Sequence, residues 1–144
     1  MNSENYQSLI YNRILIGGTL DVKEMILANP VDIIYDLGAE ALEHDEPTLR
    51  VPMPIVDDKE RQDESIERAI RAVVSSYKEG KKTYFHCAGG SNRTGTVAMG
   101  VLLALGEAEA GSIEEAEKKA KATRSKINIK PEMKASLQRL FPNA

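Results

Sequence analysis

The stretch KTYFHCAGGSNRTGTVAMGVLLALG, residues 82–106, limits the possible folds more than any other part of this chain. KTYFHC has the aromatic and β-branched character of a strand. A glycine-rich turn follows. TVAMGVLLAL is then apolar on nearly every face, which predicts a helix enclosed on all sides and stopped by Gly106. A strand that feeds directly into an enclosed helix needs further layers around both, so a layered α/β arrangement is expected.

The flanking segments supply those layers. RILIGG (13–18) reads as a strand and turn, and TLDVKEMILAN (19–29) as a helix with Thr19 as its cap. VDIIYDLG (31–38) is a second strand. TLRVPMPIV (48–56) is extended, because Pro52 and Pro54 forbid helix there and suit a sheet edge. Over residues 64–79, Ile66, Ala69, Ile70, Val73, Val74 and Tyr77 recur at the spacing of an amphipathic helix. Asp63 and Glu64 are expected to cap it. Ser112 with Glu115 forms a capping box for a charged helix to about residue 123, and Pro131 suits the first turn of a last helix over 130–140. Strands alternating with helices imply a single α/β domain, residues 1–144, with a central, mostly parallel sheet flanked by helices. Residues 1–10 carry no expected element and are read as a flexible lead.

Bulk properties narrow the function. A chain of 144 residues can bury a core without disulfides or metal. A net charge of −3 argues against a dedicated nucleic-acid binder. Cys87 is the single cysteine and there are two histidines, too few for a usual zinc site, so neither a metal nor another cofactor is expected. The same composition fits a reducing cytoplasm. Residues 1–8 lack the pattern of a signal peptide, and the apolar run at 97–105 is too short to span a bilayer.

The chemistry concentrates between Cys87 and Arg93. In an open α/β sheet, ligands bind where strands end, which is where Cys87 falls. Gly89 and Gly90 permit a tight turn into the helix that starts near Arg93. A short loop running into a helix N-terminus turns N–H groups inward and makes a cradle for an anion such as phosphate. Arg93 adds a two-pronged donor. The same donors would favour the thiolate, the nucleophilic form of cysteine. A lone cysteine is usually a small buried hydrophobe. Gly90, Arg93 and Thr94 at these spacings argue otherwise.

This string, H-C-x-x-G-x-x-R-T, resembles the signature of the cysteine-dependent protein tyrosine phosphatases, and the short chain is similar to their dual-specificity branch. RILIGG, PIVDD, the helix before YFHC and KATRSKINIKPEMKASLQRL sit where that branch has counterparts, so the resemblance spans roughly residues 13–140. It implies the phosphatase fold. It also implies that Cys87 attacks phosphorus, that Arg93 binds phosphate, and that His86 holds the loop's shape. Thr94 would stabilise the departing thiolate, and the backbone amides of Ala88, Gly89, Gly90, Ser91, Asn92 and Arg93 would complete the cradle. The family's general acid lies on a loop after a P-I-x-D-like strand. Asp57, thirty positions before Cys87, matches it better than Asp58.

The expected partner is a phosphorylated protein, cleaved at phosphotyrosine with phosphoserine or phosphothreonine as further substrates. Phosphoinositides, RNA 5′-phosphates and a non-catalytic phosphate-binding module are the alternatives. The absence of lysine among residues 88–92 argues mildly against phosphoinositides. Lys118, Lys119, Lys121, Arg124, Lys126 and Lys130 read first as a solvated helix face, paired in part with Glu114, Glu115 and Glu117, and second as a positive rim for phosphorylated substrates. His44 reads as a solvated loop residue.

Overall fold

The structure, a computed structural model, describes residues 6–10, 13–38, 50–56, 58, 60–106 and 112–144. The chain forms β1 (Gln7–Ile10), β2 (Ile14–Gly18), a 3-10 turn (Thr19–Asp21), α1 (Val22–Ala28) and β3 (Ile33–Asp36). It continues through β4 (Arg50–Pro52), α2 (Gln62–Lys78), β5 (Thr83–Cys87), α3 (Asn92–Leu105), α4 (Ile113–Thr123) and α5 (Pro131–Leu140). The sheet has five strands in the order β1-β2-β5-β3-β4. Pairing is parallel except between β1 and β2.

The period-two alternation of the strands divides the core. Ile16, Phe85 and Tyr35 are register partners, and all three pack into the cluster that α2, α3, α4 and α5 cover. Their neighbours Leu15, Tyr84 and Ile34 are also register partners and face the other way, onto Val22 and Met25 of α1. β5 is therefore enclosed on both faces and both edges, and all five of its residues are buried. This is the three-layer α/β arrangement that the alternation of elements predicts. No described helix is long and apolar enough to cross a membrane.

α3 is sealed from Thr94 to Leu102. It lies against α2 at Gly100, where an added Cβ would collide with Ile70 Cδ1. It ends at Gly106, which takes the left-handed conformation (φ 73°). Ser112 Oγ accepts the N–H of Glu115 at 3.0 Å, the serine half of the expected capping box, and Pro131 opens α5.

Several expectations need correction. Gln7–Ile10, placed in a flexible lead, forms β1 on the sheet edge. Thr19 does not cap a helix; it starts the 3-10 turn and uses its hydroxyl elsewhere. Asp63 and Glu64 are within the first turn of α2, whose cap position is Arg61, and Asp63 instead binds Arg139 of α5. His44 lies outside the described residues.

Candidate active site

Parallel pairing delivers β2 and β5 together, so that Gly18 sits beside Cys87 at the ends of the two strands. The chain then turns through residues 88–91 before α3 starts at Asn92. Gly90 has φ 70°. An added Cβ there would fall 2.6 Å from the Gly17 carbonyl carbon and 2.7 Å from Arg124 Nη2. Only glycine fits both the backbone and the space.

Hydrogen bonds hold four successive carbonyls of this turn. The Cys87 carbonyl accepts the Thr19 hydroxyl at 3.1 Å, and the Ala88 carbonyl accepts the Thr19 N–H at 3.1 Å. The Gly89 and Gly90 carbonyls accept Arg124 Nη2 and Nε at 3.3 and 2.9 Å. A peptide unit is planar and trans, so each N–H points opposite the preceding carbonyl. Binding these carbonyls from outside turns the amides of Ala88, Gly89, Gly90 and Ser91 away from Thr19 and Arg124. A run of like-facing amides is an anion-binding concavity.

Cys87 is buried at the strand end, 6% exposed. Thr94, fully buried in the first turn of α3, donates to Cys87 Sγ at 3.1 Å and lies 3.3 Å from the Gly17 carbonyl. Its single hydroxyl hydrogen serves one acceptor at a time. His86 is buried and stacked on Tyr84, with ring centroids 5.6 Å apart. Its Nδ1 lies 3.2 Å from Thr19 Oγ1 and 3.4 Å from the Cys87 carbonyl. Thr19 gives its only hydroxyl hydrogen to that carbonyl, so the set is satisfied when Nδ1 carries a hydrogen and donates.

Behind the turn, Tyr84 donates to the Gly18 carbonyl at 2.8 Å, and Asp21 accepts the Gly18 N–H at 2.8 Å. Burial, with the nearby Asp21 charge adding to it, pushes the Tyr84 phenol well above its ordinary pKa, so it stays a neutral donor. Arg93 is the second residue of α3 and is half-buried. Asn92 Oδ1 accepts the Lys130 N–H at 2.9 Å, which ties the segment before α5 to the start of α3.

The structure thus brings Cys87, His86, Thr94 and the residue 88–93 turn together. Asp57 lies outside the described residues. Asp58 is described: it accepts the Glu60 N–H at 2.9 Å and pairs with Arg61 at 3.4 Å, so its carboxylate is engaged in the turn that starts α2. Ahead of it, Val56 donates its N–H to Ser65 Oγ at 3.2 Å. Among the described residues no group of three His, Cys, Asp or Glu side chains could hold a metal ion. Arg124 leaves the expected solvated face or positive rim. It is 3% exposed and turned inward, because the carbonyls of the loop offer a guanidinium more than one acceptor.

The family model PTP-SAK, described as Swiss Army Knife protein, DSP-PTPase phosphatase domain, matches residues 35–138. The chain belongs to the PTP-SAK family. No curated protein sequence matches it. Among solved structures, the PTP-SAK chain superposes on Tk-PTP in the active form with a TM-score of 0.76 at 21% identity, covering 99% of this chain and 100% of that one. Human DUSP28 gives a TM-score of 0.77 at 16% identity, covering 96% and 93%. PTPMT1 in complex with PI(5)P gives 0.76 at 16% identity, covering 96% and 95%. These likenesses share the fold. The family match itself makes the chain a phosphatase domain of the cysteine-dependent tyrosine phosphatase superfamily, of the dual-specificity type.

Proposed function

We propose that this protein hydrolyses phosphate monoesters on proteins, at phosphotyrosine and also at phosphoserine or phosphothreonine. The observation that carries this reading is the Thr94 hydroxyl 3.1 Å from Cys87 Sγ, at the base of a turn whose carbonyls are held by Thr19 and Arg124. Cys87 Sγ attacks phosphorus and the ester P–O bond breaks. Asp57 gives its proton to the departing oxygen, forming a phosphocysteine. Asp57 then takes a proton from water, the water oxygen bonds to phosphorus, and the S–P bond breaks to return the thiolate. Arg93 and the amides of residues 88–93 hold the phosphoryl oxygens as charge moves across them. Thr94 receives the leaving sulfur with a hydrogen bond. His86 keeps the turn in shape through Thr19 and the Cys87 carbonyl.

The choice of Asp57 is supported by Asp58, whose carboxylate is engaged at the start of α2. The choice of protein over lipid is supported by the turn itself, which carries no lysine between Cys87 and Arg93. The second reading is a phosphoinositide substrate. It is favoured by the likeness to PTPMT1, solved with PI(5)P. A cytoplasmic site of action follows from the composition expected of a reduced thiol.

The test is release of p-nitrophenol from p-nitrophenyl phosphate by wild type and by Cys87→Ser. Wild type is expected to turn over and the variant to be inert. Equal release from both rejects the catalytic reading. Comparing kcat/KM across phosphopeptides, phosphoinositides and triphosphorylated RNA then assigns the substrate; a clear lead for phosphoinositides replaces the protein reading with the lipid one.

A further inference from the structure

We infer that Arg124 is a positioning residue for this reaction: its buried guanidinium sets the peptide planes of the phosphate loop. The proposal rests on the loop being the phosphoryl site, as above.

The contacts of Arg124 are specific. Nε and Nη2 reach adjacent carbonyls, Gly90 at 2.9 Å and Gly89 at 3.3 Å. Nη1 donates to Gln7 Oε1 of β1 at 2.7 Å, and Nη2 lies 3.7 Å from Asp21 Oδ2. Asp21 is itself fixed by the Gly18 N–H. A guanidinium 3% exposed has left water, so these acceptors must replace its hydration. They do so along one planar fork, which a lysine ammonium cannot match.

Carbonyl direction then determines amide direction. With the Gly89 and Gly90 oxygens drawn outward, the N–H groups of Gly90 and Ser91 face the opposite side. A flip of either unit would aim a carbonyl dipole at the phosphoryl oxygens and repel them. Gly90 is the position where such a flip would be easiest, since glycine resists few conformations. Its missing Cβ is also what lets Arg124 approach, as the 2.7 Å to Nη2 shows. The glycine that makes the loop possible also leaves it free to flip, and Arg124 removes that freedom. Arg124 touches no substrate in this account; it acts through the backbone.

The test compares wild type, Arg124→Gln and Arg124→Lys by tungstate binding in calorimetry and by kcat and KM with p-nitrophenyl phosphate. Both variants are expected to lose roughly tenfold or more in tungstate affinity, the scale of one charged hydrogen bond. NMR supplies a readout that general destabilisation would not give. In wild type, the Gly90 and Ser91 amides should shift on adding tungstate, and the Arg124 Nε–H should exchange slowly. In folded variants those two amides should no longer shift.

A folded Arg124→Gln that binds tungstate like wild type overturns the proposal, as does full restoration by Arg124→Lys. If neither variant folds, the wild-type spectrum decides: a fast-exchanging Arg124 Nε–H overturns it, and a slowly exchanging one that moves with the two amides supports it. Failure of the underlying phosphatase reading is distinct. It would show as wild type itself binding no tungstate and releasing no p-nitrophenol.

Discussion

Thr94 Oγ1 stands 3.1 Å from Cys87 Sγ and 3.3 Å from the carbonyl oxygen of Gly17. One hydrogen therefore divides its time between a sulfur and a backbone oxygen. In the proposed reaction the sulfur would gain from it most on leaving phosphorus with a charge. Thr94→Val keeps the shape of the side chain and removes the donor. The expected result is a kcat lower by about 10- to 100-fold with KM little changed, on the scale of a hydrogen bond to a charged group. Rapid mixing should show a burst of p-nitrophenol, because the phosphocysteine forms and then persists. A steady state without a burst would place the role of Thr94 elsewhere.

The two loop glycines should behave differently. A Cβ on Gly90 meets the Gly17 carbonyl carbon at 2.6 Å, and φ is 70°. A Cβ on Gly89 meets nothing within 4 Å. Gly90→Ala should cut kcat/KM by more than about 100-fold and lower Tm, since strain of about 1–3 kcal/mol adds to a displaced loop. Gly89→Ala should stay within about threefold of wild type. Steady-state assays and thermal melts on the pair check this; equal loss in both would mean that the open space at Gly89 is used by substrate.

Those glycines also show what is legible in a sequence. The cysteine, the turn and the arginine are neighbours in the chain, so their chemistry is written in consecutive letters. The helices show themselves by period, and Ser112, Gly106 and Pro131 act on residues within a turn of themselves. Arg124 is different. Its partners are Gly90, Gly89, Asp21 and Gln7, all far away in sequence, and it follows a run of lysines that are solvated. Nothing local marks it as buried. Thr19 reads as a helix cap from its neighbours for a related reason: its hydroxyl's partner, the Cys87 carbonyl, lies far along the chain. β1 is a four-residue edge strand that starts with Gln7 and Ser8, too short and polar for alternation to reveal. Asp63 sits where a capping acid would, and only the arrival of α5 shows its partner.

The general acid is open to a direct comparison. Asp57→Ala should slow hydrolysis of an ester with a poor leaving group by about 10²–10⁴-fold, and affect p-nitrophenyl phosphate less. Asp58→Ala should mainly loosen the start of α2. Rates on phenyl phosphate against p-nitrophenyl phosphate separate the two, and a selective defect in Asp58→Ala alone would exchange their roles.

Asp63 joins α2 to α5 through a two-pronged contact with Arg139, at 2.6 and 2.9 Å, and through Ser136. The Arg139 hydrogen bond, partly opposed by burial, holds the Asp63 carboxyl below its ordinary 3.8. A lowered folded value means that the contribution to stability is complete above 3.8 and is lost as pH falls through the folded value. Asp63→Asn should therefore lower Tm near neutral pH, and the gap from wild type should close in strong acid. Melts across that range check it; a gap that persists in acid would point to packing instead of charge. The contact is half in solvent, so added salt should shrink the gap.

The two donors that brace the loop's glycines come from a residue made long after them. When residues 87–105 have been synthesised the whole loop exists as chain, yet the arginine that binds the Gly89 and Gly90 oxygens has not been added. The thiol proposed as nucleophile therefore lacks this brace until translation has passed position 124, so under that proposal its reactivity should depend on the C-terminal segment.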